Sequence, residues 1–276
     1  MTKVLGFTLL VCLLAHSAYS QHYYNDLMTT NDINKKRALY LLNKVRSVKM
    51  TSFDNYNQKI DGFESTQSIA ANYGTITTTT SNSLSGKDVT THYFNAQGQL
   101  TQSIDTTDGN KLVIQYTYDA SNQITSIVSL SLSPGGYSTR EQHLWFYKAG
   151  KPERMLKIKN GSDTTTITYN LDEKGNVGEE KSIHRGIEQP GVYYYYDDKN
   201  RLTDVVRYNA RVKRLLPDYL FEYDTEDRVS MMLVTTQGGS DYQKWYYKYN
   251  EKGMKKTDEC YAKSKMLIAK VEYAYQ

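Results

Sequence analysis

The chain has 276 residues and a mass of 31.8 kDa, and its 34 Lys and Arg against 30 Asp and Glu give a net charge of +4. So small a surplus lacks the dense basic stripe of a dedicated nucleic-acid binder, and a mean hydropathy of −0.66 excludes an ordinary helical membrane protein. The 26 Tyr far outnumber the 6 Phe and 2 Trp. Tyrosine favours half-buried strands, because its ring packs while its hydroxyl reaches water.

The N-terminus has the pattern of a secretory signal peptide over residues 1–20. A basic start at Lys3 precedes an apolar run over 4–15, and small residues lie just before position 21. The run is shorter than the roughly 20 apolar residues that a transmembrane anchor needs. We therefore expect cleavage between Ser20 and Gln21 and export to the periplasm, the cell surface or the medium.

One helix is predicted, over residues 29–47 at the end of an N-terminal segment that spans 21–47. Thr29, Thr30 or Asn31 is suited to cap it. We expect its apolar face to pack on the rest of the protein; the alternative is a membrane surface. The apolar residues at helical spacing are Ile33, Ala38, Leu41, Leu42 and Val45.

After signal removal a single cysteine remains, Cys260. One cysteine cannot form an internal disulfide, so packing and strand pairing must hold the exported chain together. We expect Cys260 to be a small packed residue of a strand. The alternatives are a nucleophile or an intermolecular disulfide.

From residue 48 onward the apolar pattern alternates with a period of two, as in 112–118 and 124–130. The Thr- and Ser-rich stretch over 75–91 is interpreted as a strand and a polar turn. Because no long Pro- or Gly-rich linker divides the chain, residues 48–276 are predicted to form one β-repeat domain.

A short pattern recurs through this domain: an aromatic residue, Asp or Asn, two or three other residues, Gly, Asn or Asp, one residue, and an apolar residue. Successive aromatic positions from 94 are 22 to 29 residues apart. The copies are 94–100, 118–124, 196–202 and 223–229, with looser ones at 147–150, 169–177 and 249–253 and a degenerate candidate at 53–57.

Each copy is predicted to be a hairpin turn. The first Asp or Asn can accept a bond from a backbone N–H two residues on, and the later Gly, Asn or Asp suits a positive φ. The predicted turn residues are Asn95, Gly98, Asp119, Asn122, Asp197, Asn200, Asp224, Asp227, Asn250 and Gly253. Seven or eight such units predict an all-β antiparallel meander of roughly 14–16 strands that curls into a curved sheet or an open barrel.

The copies at 196–202 and 223–229 resemble the YD repeat of Rhs-type proteins, and the resemblance covers roughly residues 50–276. In that family the repeats form a strip that spirals into a hollow shell around a toxin; this chain has too few repeats to close a shell and no cargo domain after them. The looser copies also resemble MORN-like bacterial repeats. A signal peptide followed by a Tyr-rich YD array is similar to uncharacterised exported proteins of Bacteroidetes, which implies the cell envelope or exterior and no reaction.

No catalytic residue, metal ligand or cofactor is predicted. The four histidines of the mature chain lie at least 41 residues apart, and no nucleophile or phosphate-binding motif occurs. The paired acidic residues fall mostly in the turns, where solvated carboxylates are expected. Their alternative roles are the two carboxylates of a hydrolase or ligands of Ca²⁺.

The Tyr-rich strands supply a candidate aromatic binding face: Tyr194, Tyr196, Trp245 and Tyr247. Such a face can stack on a sugar ring or a protein partner, or it can simply cover a thin sheet. The resulting hypothesis is a non-catalytic exported scaffold that binds a glycan or an envelope protein. The alternatives are an outer-membrane β-barrel and a carboxylate hydrolase; the charges on both faces of strand 254–261 speak against a barrel in lipid.

Overall fold

The computed structural model describes residues 22–82, 86–209, 212–235 and 241–276. The predicted signal peptide and its cleavage site lie outside these residues. The described elements are α1 (Asn25–Leu42), β1 (Ser47–Phe53), β2 (Glu64–Ile69), β3 (Thr75–Asn82), β4 (Gly86–Phe94), β5 (Leu100–Thr107), β6 (Asn110–Tyr118), β7 (Ile124–Leu132), β8 (Ser138–Lys148), β9 (Lys151–Lys159), β10 (Asp163–Leu171), β11 (Val177–His184), β12 (Ile187–Glu188), β13 (Val192–Tyr196), β14 (Leu202–Asn209), β15 (Arg214–Tyr223), β16 (Val229–Thr235), β17 (Tyr242–Tyr249), β18 (Lys255–Ala262) and β19 (Leu267–Tyr275).

The strands form one antiparallel meander that closes into a barrel. Apart from β12, each strand pairs with the next, and β1 also pairs with β19, from Val48 opposite Tyr275 to Phe53 opposite Lys270. The two-residue β12 and β13 both pair with β11, so they act as one interrupted strand of an 18-strand barrel. The predicted all-β meander is confirmed. It has more strands than expected, because β1–β3 precede the first clear copy of the repeat, and closure leaves no open sheet edge.

Helix α1 begins four residues before the predicted start, and Thr29, Thr30 and Asn31 lie inside it rather than at its cap. A strand supplies the cap instead: the Glu180 carboxylate of β11 accepts bonds from the backbone N–H groups of Tyr23 and Tyr24, at 2.9 and 2.8 Å. These groups have no partner within a helix, and a carboxylate is favoured at the positive end of the helix dipole. The prediction of the cap was therefore wrong, because a tertiary contact took over this role.

The helix crosses the interior of the barrel. Its first residues bind Glu180 of β11, and near its other end the Tyr40 hydroxyl donates to Gln67 of β2 at 2.7 Å. Strands β2 and β11 are separated by eight strands in either direction around the barrel, so they lie on opposite sides. At about 1.5 Å per residue, an 18-residue helix is about 27 Å long, which suits that span.

Only part of the predicted apolar face of α1 packs against the barrel. Ile33 and Val45 join the buried cluster around Tyr40, but Leu41 and Leu42 are exposed. A second buried cluster lies at the other end of the helix, around the stacked rings of Trp145 and Tyr169 and the fully buried side chains of the neighbouring strands. Within the described ranges, no helix combines the length and apolarity needed to cross a membrane.

Candidate functional site

The predicted turn residues lie at hairpin turns along one end of the barrel. At Asp119 the side chain accepts bonds from the N–H groups of Ser121 and Gln123, at 2.8 and 2.9 Å, and Asn122 donates to its carbonyl with a φ of 64°. A left-handed residue after a tight turn is the geometry of a short hairpin loop. The same backbone bond and positive φ occur in the pairs Asn95 and Gly98, Asp197 and Asn200, Asp224 and Asp227, and Asn250 and Gly253.

Three looser copies differ from their predicted form. In 169–177 the turn is made by Asp172 and Gly175, so Leu171 and not Tyr169 occupies the aromatic position. The copy at 147–150 is a two-residue turn with positive φ at Ala149 and Gly150. The candidate at 53–57 has the Asp54 bonds of a full copy but lies at the opposite end of the barrel, because β1 runs away from the end where the other turns lie.

The tyrosine of the repeat has a role that the sequence analysis missed. Its hydroxyl donates to the carbonyl of the residue that follows the preceding turn, so a repeat with tyrosine at this position is bonded to its predecessor. These bonds measure 2.6–3.0 Å and join Tyr118 to Leu100, Tyr147 to Ile124, Tyr196 to Val177, Tyr223 to Leu202, Tyr249 to Val229 and Tyr275 to Lys255. We call this series the tyrosine ladder; the recurrent Tyr at a near-constant interval was its only sequence signal.

Arginine completes the two closest copies. Arg201 forms a salt bridge with Asp197, whose pKa it lowers, and its guanidinium lies 4.5 Å from the centre of the Tyr223 ring in the next repeat. Arg228 contacts Asp224 and the Tyr249 ring in the same way, at 4.7 Å. The Tyr-Asp and Arg positions therefore couple each turn to the following repeat through charge and cation–π contact.

Two of the four residues of the predicted aromatic face are committed to the fold. Tyr194 is buried, its hydroxyl donates to Glu180 at 3.0 Å, and its ring packs edge-on against Tyr24 of the helix entry. Tyr196 belongs to the tyrosine ladder. The expectation that Tyr194 lies on an exposed face was wrong, because the barrel interior at this point is filled by the start of the helix.

Trp245 and Tyr247 lie on the lumen side of β17 and are half-buried. Trp245 is opposite the fully buried Cys260 of β18, whereas the intervening Tyr246 is exposed on the outside. On the same inner surface the Lys255 ammonium lies 3.9 Å from the centre of the Tyr247 ring. We call the inner surface formed by Trp245 and Tyr247 the aromatic wall. Beside it, Tyr249 and Tyr275 belong to the tyrosine ladder, and Tyr273 packs against the buried cluster around Tyr40.

A buried carboxylate supports the aromatic wall. One oxygen of Asp258 accepts bonds from the Lys255 ammonium at 2.8 Å and from the Tyr273 hydroxyl at 2.9 Å. Its other oxygen, Oδ1, is buried and has no partner among the described residues. Burial, then the charge of Asp258, raises the pKa of Tyr247 and Tyr273, so both rings keep their hydroxyl protons at neutral pH.

A second polar cluster ties the helix to the strands across from its first turn. Asp26 contacts His143 Nδ1 at 2.5 Å, His143 Nε2 contacts Glu141 at 3.0 Å, and Glu141 contacts Lys157 at 3.2 Å. Burial works against a charged imidazole, but the Asp26 carboxylate and then Glu141 raise the pKa of His143 to about 9. A charged His143 between two carboxylates is an anchor for the helix; this cluster contains no nucleophile.

The described residues contain no group of three or more His, Cys, Asp or Glu side chains arranged to hold a metal ion. The turn carboxylates that a hydrolase would use are engaged: Asp197 and Asp224 each bind backbone N–H groups and an arginine of the same turn. Their arrangement is that of a repeated structural turn.

The family described as RHS Repeat matches residues 86–138, which hold the copies at 94–100 and 118–124. Residues 86–138 are therefore similar to an Rhs-type repeat. The predicted YD/Rhs-like β-repeat is thereby confirmed, although the match falls on these copies rather than on the two at 196–202 and 223–229 that look closest to the pattern.

No curated protein matches the chain. Among solved structures, a porin-like protein from Bacteroides uniformis is similar at 9% identity and a TM-score of 0.44, over 84% of this chain and 98% of that one. The complex TcdB2-TccC3-Cdc42 is similar at 12% identity and a TM-score of 0.34; the match covers 78% of this chain but 12% of the chain it matches.

Proposed function

We propose that this protein is a non-catalytic, exported β-repeat barrel of the cell envelope that binds a glycan in its lumen, at the aromatic wall. The observation that carries the proposal is the pair Trp245 and Tyr247, which are half-buried on the inner surface. Tyr and Trp rings at a partly wet surface stack on sugar faces while their polar ends remain available for hydrogen bonds.

Two features leave room at this wall. Barrels of 16–18 strands are wide enough to hold water inside. The helix does not fill the lumen here. Asp32 and Lys36 of α1 are exposed to solvent, although both interact with the charge of Lys255 on the facing barrel wall. In the other half of the interior, the residues of the helix entry pack against the cluster around Tyr194.

The outer face of the barrel near the closing strands favours water over lipid. Lys248 pairs with Glu259 at 3.0 Å and Lys270 with Glu272 at 2.6 Å, and Glu259 lies opposite the exposed Tyr246 and Lys270 in the strand register. Charged side chains on the lipid face of a membrane barrel are costly near the midplane. These charged residues on the outer face support a scaffold in an aqueous compartment over the outer-membrane alternative.

The test is a glycan-array screen of residues 21–276, purified without detergent. We expect binding to at least one glycan class, a loss of at least tenfold in affinity for Trp245→Ala, and no loss for Tyr246→Ala, the matched aromatic on the outer face. If no glycan binds, or if the two variants bind equally well, the proposal is refuted. A protein that purifies only in detergent would favour the membrane barrel, and mass analysis of the exported chain tests cleavage at Ser20.

A further inference from the structure

Two lysines interact at this site: Lys255 is paired with Asp258, whereas Lys36 has no salt bridge among the described residues. Its ammonium lies 5.6 Å from the centre of the Tyr40 ring and forms no salt bridge in this part of the chain. Burial, then the nearby charge of Lys255, lowers its pKa to about 8, so it is still mostly charged at neutral pH. Because solvent still reaches Lys36, its ammonium is accessible to a ligand that supplies an anion.

The other charged groups around it are already engaged or neutral. Lys255 is held by Asp258. Asp105, across the lumen, accepts bonds from the hydroxyls of Thr90 and Thr107 at 2.6 and 3.1 Å. Burial, and then the charge of Lys36, lowers the pKa of His92 to about 4, so this imidazole is neutral. The charge of Asp258 favours the charged form of Lys36, but its hydrogen bonds go to Lys255 and Tyr273, and it forms no ion pair with Lys36.

Asp32 lies one helical turn before Lys36 and forms no salt bridge with it. Its charge interacts with those of Lys35 and Lys255, and with Tyr249, the next inward-facing residue of β17 after Tyr247. The helix therefore presents a cation and a carboxylate side by side to a surface of tyrosine and tryptophan rings. These are the groups that hold an acid function, a hydroxyl and the flat face of a sugar ring.

We propose that Lys36 binds the carboxylate of an acidic glycan, with Asp32 accepting bonds from the sugar hydroxyls and the aromatic wall stacking on its ring. This inference rests on the proposed glycan-binding function and gives it a ligand class. No covalent step is involved: the ligand supplies the anion that Lys36 lacks, and a charge-assisted bond in a partly enclosed site is stronger than one at an open surface.

The test uses pairs of sugars that differ in charge: trigalacturonate against its methyl ester, and sialyllactose against lactose. Calorimetric titration of residues 21–276 should show at least a tenfold preference for the acid in one or both pairs. Lys36→Met should remove that preference and leave the neutral partner unchanged. Lys256→Met, which removes an exposed lysine of β18, is the matched control and should behave as the parent protein.

A labelling experiment guards against a variant that misfolds. In the parent protein, acetylation of Lys36 by a water-soluble ester, followed by mass spectrometry, should slow at least threefold when the acidic sugar is present, with Lys256 unaffected. Equal affinity for acid and neutral sugars, with no protection of Lys36, would overturn the acidic-ligand inference while the glycan proposal stands. If neither member of either pair binds and no array glycan binds, the proposed function itself fails.

Discussion

The contribution of the contact between Asp26 and His143 to the free energy of folding can be measured with the substitution Asp26→Asn. In the native protein this carboxylate is the strongest of the influences that raise the pKa of His143 from 6.5 to about 9. A shift of that size corresponds to about 3 kcal/mol of folding free energy at neutral pH. The imidazole is largely buried, with 12% of its side chain exposed, so solvent screens little of this.

Part of that free energy survives the substitution, because Glu141 still contacts His143 Nε2 at 3.0 Å. We therefore expect Asp26→Asn to cost roughly 2 kcal/mol at pH 6.5. A group whose pKa is raised on folding stabilises the native state fully below its unfolded pKa. That contribution then disappears as the pH rises through the folded value, so the difference between parent and variant should shrink from pH 6.5 to 9.5.

Urea unfolding at a series of pH values measures this difference. Lys36, whose pKa is lowered on folding, acts in the opposite sense above pH 8, but it is present in both proteins and cancels in the comparison. NMR titration of the His143 ring should show its pKa fall in the variant. Asp163→Asn, which removes the exposed partner of His184, is the control and should change little. A cost that stays constant with pH, or an unshifted His143, would refute the charge argument.

Further predictions concern the repeat and the core. Tyr223→Phe removes one bond of the tyrosine ladder and should lower the free energy of unfolding in urea by about 1 kcal/mol. Tyr246→Phe, on the outer face, should leave it unchanged. Equal effects of the two substitutions would show that the ladder bond does not stabilise the fold. Asn122→Val forces a branched residue to a φ of 64° and should destabilise by about 1–3 kcal/mol, while Asn122→Gly should be tolerated; the reverse order would contradict the turn geometry. Met155→Ala empties a fully buried site and should cost about 2–5 kcal/mol; a cost under 1 kcal/mol would mean that the site is not packed.

Much of the local structure could be predicted because its causes lie within a few residues. The Asp119 side chain reaches backbone N–H groups two and four residues ahead, so the turn is encoded where it forms. The same holds for Asn122, whose side chain tolerates a left-handed backbone. Where the local pattern was ambiguous, as between Tyr169 and Leu171, the prediction placed the aromatic position two residues too early.

The candidate site was only half visible in advance. The sequence places Trp245 and Tyr247 on one face of β17 and Tyr246 on the other, because side chains alternate between the two faces of a strand. Which face is inside depends on closure of the barrel, and whether a ring there is free depends on where the helix runs. Tyr194 is buried for that second reason. Lys36 and Asp32, which we propose as ligand-binding residues, could not be found in the repeat pattern because they lie on the helix.

The amino-acid sequence by itself determined a repeated hairpin of about 26 residues and the side chains that bend it, because hydrogen bonds between near neighbours need no partner from elsewhere. Only the tertiary structure decided that β1 meets β19, that Glu180 caps a helix more than 150 residues away, and that tyrosines bond from one repeat to the previous one. Contacts between distant parts of the chain depend on the number, twist and stagger of all the strands together, and no short sequence pattern specifies these properties.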